Sequence, residues 1–276
     1  MKPMLAKKYA DHIHKHPYPL YVQPKLNGVR ALYWQGGFQS RDEHFWIPEV
    51  IAHLTEQLSR IPSTIILDGE LYVHGWSLQK INGAISVNRL SPNASTPHVQ
   101  YHIFDCLFPH QLSLTFSERH EKLRHLLSVA STGLHIELVH TQEVCNEIEA
   151  DQFYSHYRDL LYEGMMYRAN VPYGISDLCT NKENRWDTLL KRKEWLDEDC
   201  PIIDVQLGTG KYSSCVGSLE LRFPNGRLFS AGSGLSDLQR RLFMDAPPIG
   251  CIAKIKYEML SDEGVPLKPT IEVIYD

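Results

Sequence analysis

The feature that most restricts the fold is a change of pattern at residues 194–201, EWLDEDCP. Before it, strand-like and helix-like runs are mixed. After it, short strands separated by glycine turns follow one another: IIDVQLG, GSLELRF, GRLFSAGSG, CIAKIKYEML and TIEVIYD, with one helical run, SDLQRRLFM. Five strands and one helix in about 75 residues fit a small β-barrel of the OB type. The acidic, proline-ended stretch reads as a linker, which predicts two domains, residues 1–195 and 196–276.

In the first part, PLYVQPK and VRALYW read as strands around Asn27-Gly28, a turn pair of the hairpin type. PEVIAHLTEQLSRI carries a helical apolar stripe. TIILDGELYV and VQYHIFDCLF read as strands. Ser117 is the expected cap of ERHEKLRHLLSVA, with Glu118 suiting its first turn. A second long helix ends near Gly164, and the strand-like GMMYRA and TLLKRKEW follow. The expected class is α+β, with antiparallel sheets and flanking helices preceding the barrel.

Composition restricts function less. With 43% hydrophobic and 22% charged residues, the 276-residue chain can bury a real core. A net charge of −5 announces no global affinity for nucleic acid, although a basic patch can be local. Six cysteines, with no C-x-x-C spacing, are expected as reduced thiols in a cytoplasmic setting. No signal peptide or membrane-spanning run is read, and HIHKH reads as a solvated polar segment rather than a metal site.

The chemistry begins at Lys25, in QPKLNGVR. A lysine is a nucleophile only when neutral, so it needs nearby positive charge or desolvation. In a strand, Lys191 and Lys193 of LLKRKEW point to one face and Arg192 to the other. Two ammonium groups on one face suit a phosphate, while an edge strand with solvated lysines explains this run taken alone. LDGELY puts Asp68 and Glu70 on one side of a strand, and Glu163 precedes a glycine at a helix-to-strand junction. Carboxylates near phosphates normally have Mg²⁺ between them.

The order of these pieces is the strongest signal. K-L-N-G-V-R, S-R-D, D-G-E-L, Y-H-I-F-D, E-G-M-M-Y-R and L-L-K-R-K follow one another along the chain. The set resembles the ordered motifs of the covalent nucleotidyltransferases, most closely the small ATP-dependent DNA ligases of viruses and bacteria. KPMLA, INGAISVNR, GSLEL and GLSDLQRRLF are similar to that family too.

The resemblance implies a fold and a chemistry: an adenylation domain followed by an OB-fold, sealing nicks in duplex DNA with ATP. Lys25 would carry AMP. Arg30 and Arg41 would contact the nucleotide or the nick 5′-phosphate, Glu70 the ribose, and Phe104 the adenine face. Glu163, with Glu70, would place Mg²⁺ or Mn²⁺. Lys191 and Lys193 would hold the α-phosphate, and Arg168 and Arg185 would add phosphate contacts. Gln23 would read the adenine edge. Lys182, Arg185, Lys191, Arg192 and Lys193 form a local basic patch toward nicked DNA. A monomer in the cytoplasm, or the host cytoplasm for a viral protein, is expected, without membrane contact.

Three departures from the family pattern stand out. Asn27 replaces the usual aspartate. Only TGKYSSCV separates two barrel strands, leaving no room for a DNA-encircling insertion. The C-terminal SDEGVPLKPTIEVIYD has Lys268 as its one basic residue, where the family usually carries a basic motif for the leaving pyrophosphate. An RNA ligase, a capping guanylyltransferase and a non-catalytic DNA-binding relative remain the alternatives.

Overall fold

A computed structural model describes residues 2–130, 133–175 and 184–275. The chain divides into two compact units, Met1–Lys193 and Glu194–Asp276. The strands of the first are β1 (Leu5–Lys8), β2 (Leu20–Lys25), β3 (Val29–Trp34), β4 (Gly37–Ser40), β5 (Ile66–Tyr72), β6 (Gln100–Leu107), β7 (Ile136–Leu138), β8 (Gln142–Val144), β9 (Gly164–Arg168) and β10 (Arg185–Lys193). They form two five-stranded sheets, ordered β1-β10-β9-β2-β8 and β4-β3-β5-β6-β7. Pairing is antiparallel except for β1–β10 and β6–β7, at one edge of each sheet.

The expected hairpin at Asn27-Gly28 does not form. β2 pairs with β8 and β9, whereas β3 pairs with β4 and β5 in the other sheet. The turn therefore hands the chain from one sheet to the other just after Lys25. Gly28 is required by proximity: a Cβ there would lie 2.4 Å from the Leu71 carbonyl oxygen and 2.8 Å from Glu70 Cγ.

The helix Phe116–Ala130 buries Phe116, Arg119, His120, Leu123, Leu127 and Ala130, one stripe at helical spacing. It starts before Ser117: Thr115 is tied by its N–H and its hydroxyl to Glu118 Oε2, both at 2.8 Å. Asn146 caps the helix Glu147–Asp159 by accepting from the Glu149 N–H at 2.9 Å. The larger apolar core includes Leu54, Leu67, Leu71, Ile81 and Ile85, all fully buried, beside the β4-β3-β5-β6-β7 sheet. Burying each such side chain contributes roughly 1.5–3 kcal/mol.

The second unit contains β11 (Leu196–Leu207), β12 (Val216–Arg222), β13 (Leu228–Ala231), the helix Asp237–Asp245, β14 (Ile252–Tyr257) and β15 (Thr270–Tyr275). The sheet order is β13-β12-β11-β14-β15, and a bridge between Ser233 and Thr270 joins its two ends. The expected linker is instead the first half of β11. This strand pairs with β14 over Leu196–Pro201 and with β12 from Ile202 onward. Pro201, lacking an N–H, sits where the strand changes partner. Ser236 and Gln239 cap the helix reciprocally.

Among the described residues, Cys106, Cys145, Cys200, Cys215 and Cys251 form no disulfide, and Cys179 lies outside them. No described helix is long and apolar enough to cross a membrane.

Candidate active site

Strand register assembles the site. Gly164 of β9 faces Lys25 on one side and Lys193 on the other. Glu163, one residue earlier, therefore arrives between two lysines. Its N–H donates to the Lys25 carbonyl at 3.1 Å. One carboxylate oxygen accepts from Lys25 Nζ, and the other lies 3.6 Å from Lys193 Nζ. A Cβ on Gly164 would meet the Arg192 carbonyl oxygen at 2.2 Å, so the junction admits only glycine.

The other sheet supplies the opposing wall. Arg30 of β3 stands across from Glu70 of β5, and Leu32 from Asp68. The Arg30 guanidinium grips Asp68 with two bonds of 2.6 Å each. It also lies 4.4 Å from the centroid of the Phe104 ring. Phe104 is the odd residue of a bulge, because Asp68 faces Asp105 while Gly69 faces Ile103. A bulge re-aims its side chain, and this one turns Phe104 into the cleft.

That cleft, about 890 Å³ with open solvent included, is lined by Gln23, Lys25, Arg30, Arg41, Glu70, Phe104, Arg168, Arg185 and Lys191, together with Leu5, Ala6, Pro24, Leu26 and Met166. Burial raises the Glu70 carboxyl to about 7, against the opposing pull of Arg30 and Lys25. Burial lowers the Lys191 ammonium, and Lys193 and Lys25 lower it further. Glu70 also accepts from the Gly28 N–H at 3.2 Å.

Behind the wall lies a buried ionic network. Asp105, 0% exposed, receives two bonds from Arg119 at 2.9 and 3.0 Å and one from Arg168 at 2.8 Å. Burial pushes its carboxyl up, but the two arginines outweigh that and hold it below the ordinary value. Arg168 also donates to Gln23 Oε1 at 2.7 Å, and Gln23 Nε2 donates to the Phe104 carbonyl at 3.0 Å and Thr141 Oγ1 at 2.8 Å.

A family profile of the ATP-dependent DNA ligase domain matches residues 3–193, and one of the DNA ligase OB-like domain matches residues 207–274. The chain belongs to the ATP-dependent DNA ligase family. It is 29% identical to a DNA ligase of African swine fever virus over 197 residues, 68% of this chain and 44% of the viral one. Thus the chain spans less than half the length of that viral relative. A Haemophilus influenzae DNA ligase is 26% identical over 254 residues, 89% of this chain and 82% of the other. A solved structure of a Lig E DNA ligase, described as DNA binding with a minimal scaffold, matches at a TM-score of 0.81. It is 22% identical and covers 99% of both chains, a likeness of fold. The α+β fold with an OB-like domain is thus that of this ligase family.

Several expectations change in detail within this ligase fold. β10 is not an edge strand, because β1 covers it. The alternation along it holds, but the basic patch does not stand free. Arg192 turns to Asp151 and the Tyr154 ring, Lys193 to Glu163, and Arg185 donates to the Ala6 carbonyl. Lys182 lies outside the described residues. The Gln23 amide lines the cleft with its donors on the Phe104 carbonyl and Thr141 and its oxygen accepting from Arg168. Arg168, 5% exposed, is likewise committed to Gln23 and Asp105. Lys268, in the second unit, is exposed and pairs with Glu258 at 2.9 Å.

Sequence reasoning missed Asp105, Arg119, Thr141 and Tyr173. Arg119 carried a signal, since it occupies an apolar-stripe position of its helix.

A pH prediction follows from His102, which faces Glu70 across β5–β6. Burial lowers its imidazole to about 4, with His74 adding to the effect. The unfolded chain then binds this proton more readily, so stability is full above about pH 6.5 and falls progressively toward pH 4. Denaturant midpoints at pH 7.5 and 5 are expected to converge in His102→Gln relative to the parent chain; an unchanged gap counts against this origin.

Proposed function

We propose that the chain is an ATP-dependent DNA ligase that seals 5′-phosphate/3′-hydroxyl nicks in duplex DNA. Residues 1–195 act as the adenylation domain and 196–276 as the OB-fold domain. The observation that carries this reading is the placement of Lys25 at the cleft, held by Glu163, with Glu70, Phe104 and Lys191 lining the same space.

In this reading Lys25 Nζ attacks the α-phosphate of ATP, a P–N bond forms, and pyrophosphate leaves. Lys25 must first be neutral, so the Glu163 contact has to give way or take up the proton. Lys191 and Lys193 offset charge developing on the phosphate. Phe104 stacks on the base, and Arg30, Arg41 and Arg185 serve the nucleotide or the DNA phosphate. Gln23, at the adenine edge, and Arg168, at a phosphate, line the same cleft while bonded to each other. AMP then passes to the 5′-phosphate of the nick, the 3′-hydroxyl attacks, and AMP is released.

Glu70 and Glu163 fit a divalent cation, because Mg²⁺ typically takes one or two carboxylates and completes its shell with water and phosphate. Bound there, Mg²⁺ or Mn²⁺ would neutralise phosphate charge. Duplex contact through phosphates predicts binding without sequence preference that weakens with salt. The chain acts as a monomer in the cytoplasm.

The test offers labelled ATP or GTP, then nicked DNA or nicked RNA. ATP labelling and DNA sealing are expected; GTP labelling or RNA-only sealing would indicate the capping or RNA-ligase chemistry. Lys268→Ala is expected to slow self-adenylation more than sealing of a pre-adenylated nick. Equal losses in the two assays would remove Lys268 from the pyrophosphate step.

A further inference from the structure

Tyr173 lines no part of the cleft, yet it closes a ring of hydrogen bonds behind it. It is 4% exposed, and its hydroxyl donates to Asp68 Oδ2 at 2.6 Å while accepting from the Met4 N–H at 3.1 Å. Asp68, 1% exposed, is the carboxylate that grips Arg30. Arg30 Nη2 in turn donates to the Met4 carbonyl at 3.2 Å. Both polar groups of the Met4 backbone are thereby used, one by Tyr173 and one by Arg30. Leu5 and Ala6, the next two residues, lie on the cleft wall.

The ring leaves the Arg30 guanidinium one well-satisfied orientation, flat against Asp68 and over Phe104. Without the hydroxyl, Asp68 keeps an unmet lone pair and Met4 an unmet buried N–H, which a folded chain relieves by shifting. The groups beside the gap are Arg30 and the Met4 backbone, whose neighbours Pro3 and Leu5 are held by Asn184. We propose that Tyr173 is a positioning residue for the nucleotide cleft, holding the Met4–Ala6 segment and Arg30 in register with Phe104. The inference rests on the nucleotide reading of the cleft only for its effect on ATP, not for its effect on the segment.

The experiment compares Tyr173→Phe, Asp68→Asn and the double variant in the full chain. Amide hydrogen exchange of Met4–Ala6 is expected to quicken roughly tenfold in Tyr173→Phe, the scale of a lost bond to a charged group. The β3 interior should keep its protection. The KM for ATP in self-adenylation is expected to rise by a similar factor at an unchanged saturating rate. In the Asp68→Asn background, Tyr173→Phe should add less than twofold. Unchanged exchange at Met4–Ala6, or an unchanged KM beside a lowered melting temperature, would overturn the proposal. Should Tyr173→Phe not fold, Asp68→Asn alone must loosen the same segment or the proposal fails. A parent chain that is never labelled by ATP would strike the nucleotide reading alone, and the exchange data would still decide the role of Tyr173.

Discussion

Lys25→Ala is expected to abolish both covalent AMP and nick sealing, with activity below detection. The expectation comes from placement. Among the lysines of the site, Lys25 and Lys191 line the cleft, and Lys25 holds the carboxylate that also reaches Lys193. Removing a covalent nucleophile removes the reaction path itself, unlike removal of a group that only stabilises charge. Lys191→Ala should therefore slow adenylation by orders of magnitude while leaving a measurable residue, on the scale of losing one preorganised donor, about 10²–10³. Single-turnover labelling of the two variants separates these outcomes. Equal residual activity in both would assign the nucleophile wrongly.

Asp105→Ala is expected to cost more stability than any single change at the cleft surface. Asp105 is fully buried and neutralises two buried arginines, Arg119 and Arg168. Deleting one member of a buried pair typically costs about 3–5 kcal/mol, because the remaining charge is stranded. For a unit of this size that lowers the melting temperature on the order of 10 °C. Removing Arg119 as well, with an apolar residue of similar volume, should recover part of the loss. A thermal shift of only a degree or two for Asp105→Ala would mean that the arginines find other partners. The consequence for chemistry is indirect: Arg168 also holds Gln23, and Gln23 holds the Phe104 carbonyl.

How much of this was legible in the sequence differs by element. The second unit was nearly transparent, because period-2 apolar patterning and glycine turns are local signals. Its boundary was less so: an acidic run ending in proline looks like a linker, yet β11 carries it by pairing Asp197 and Asp199 opposite Lys256 and Lys254. The hairpin at Asn27-Gly28 failed for a non-local reason. Local turn chemistry cannot tell whether the flanking strands pair with each other or, as β2 does, with strands more than a hundred residues away. Lys25, Glu70 and the β10 lysines were readable from ordered motifs, and the structure brings them together. Asp105, Tyr173 and the saturation of Gln23 were not, since each depends on a partner distant in sequence. The same holds for Phe104: its residue type was visible, whereas the bulge that turns it into the cleft arises from register.

The central claim is tested most directly by peptide mapping after incubation of the full chain with ATP and Mg²⁺. The expected result is a single AMP group, in phosphoramidate linkage, on the peptide containing Lys25, discharged when nicked duplex is added. Absence of any adduct, or an adduct on another lysine that survives the addition of nicked DNA, would contradict it.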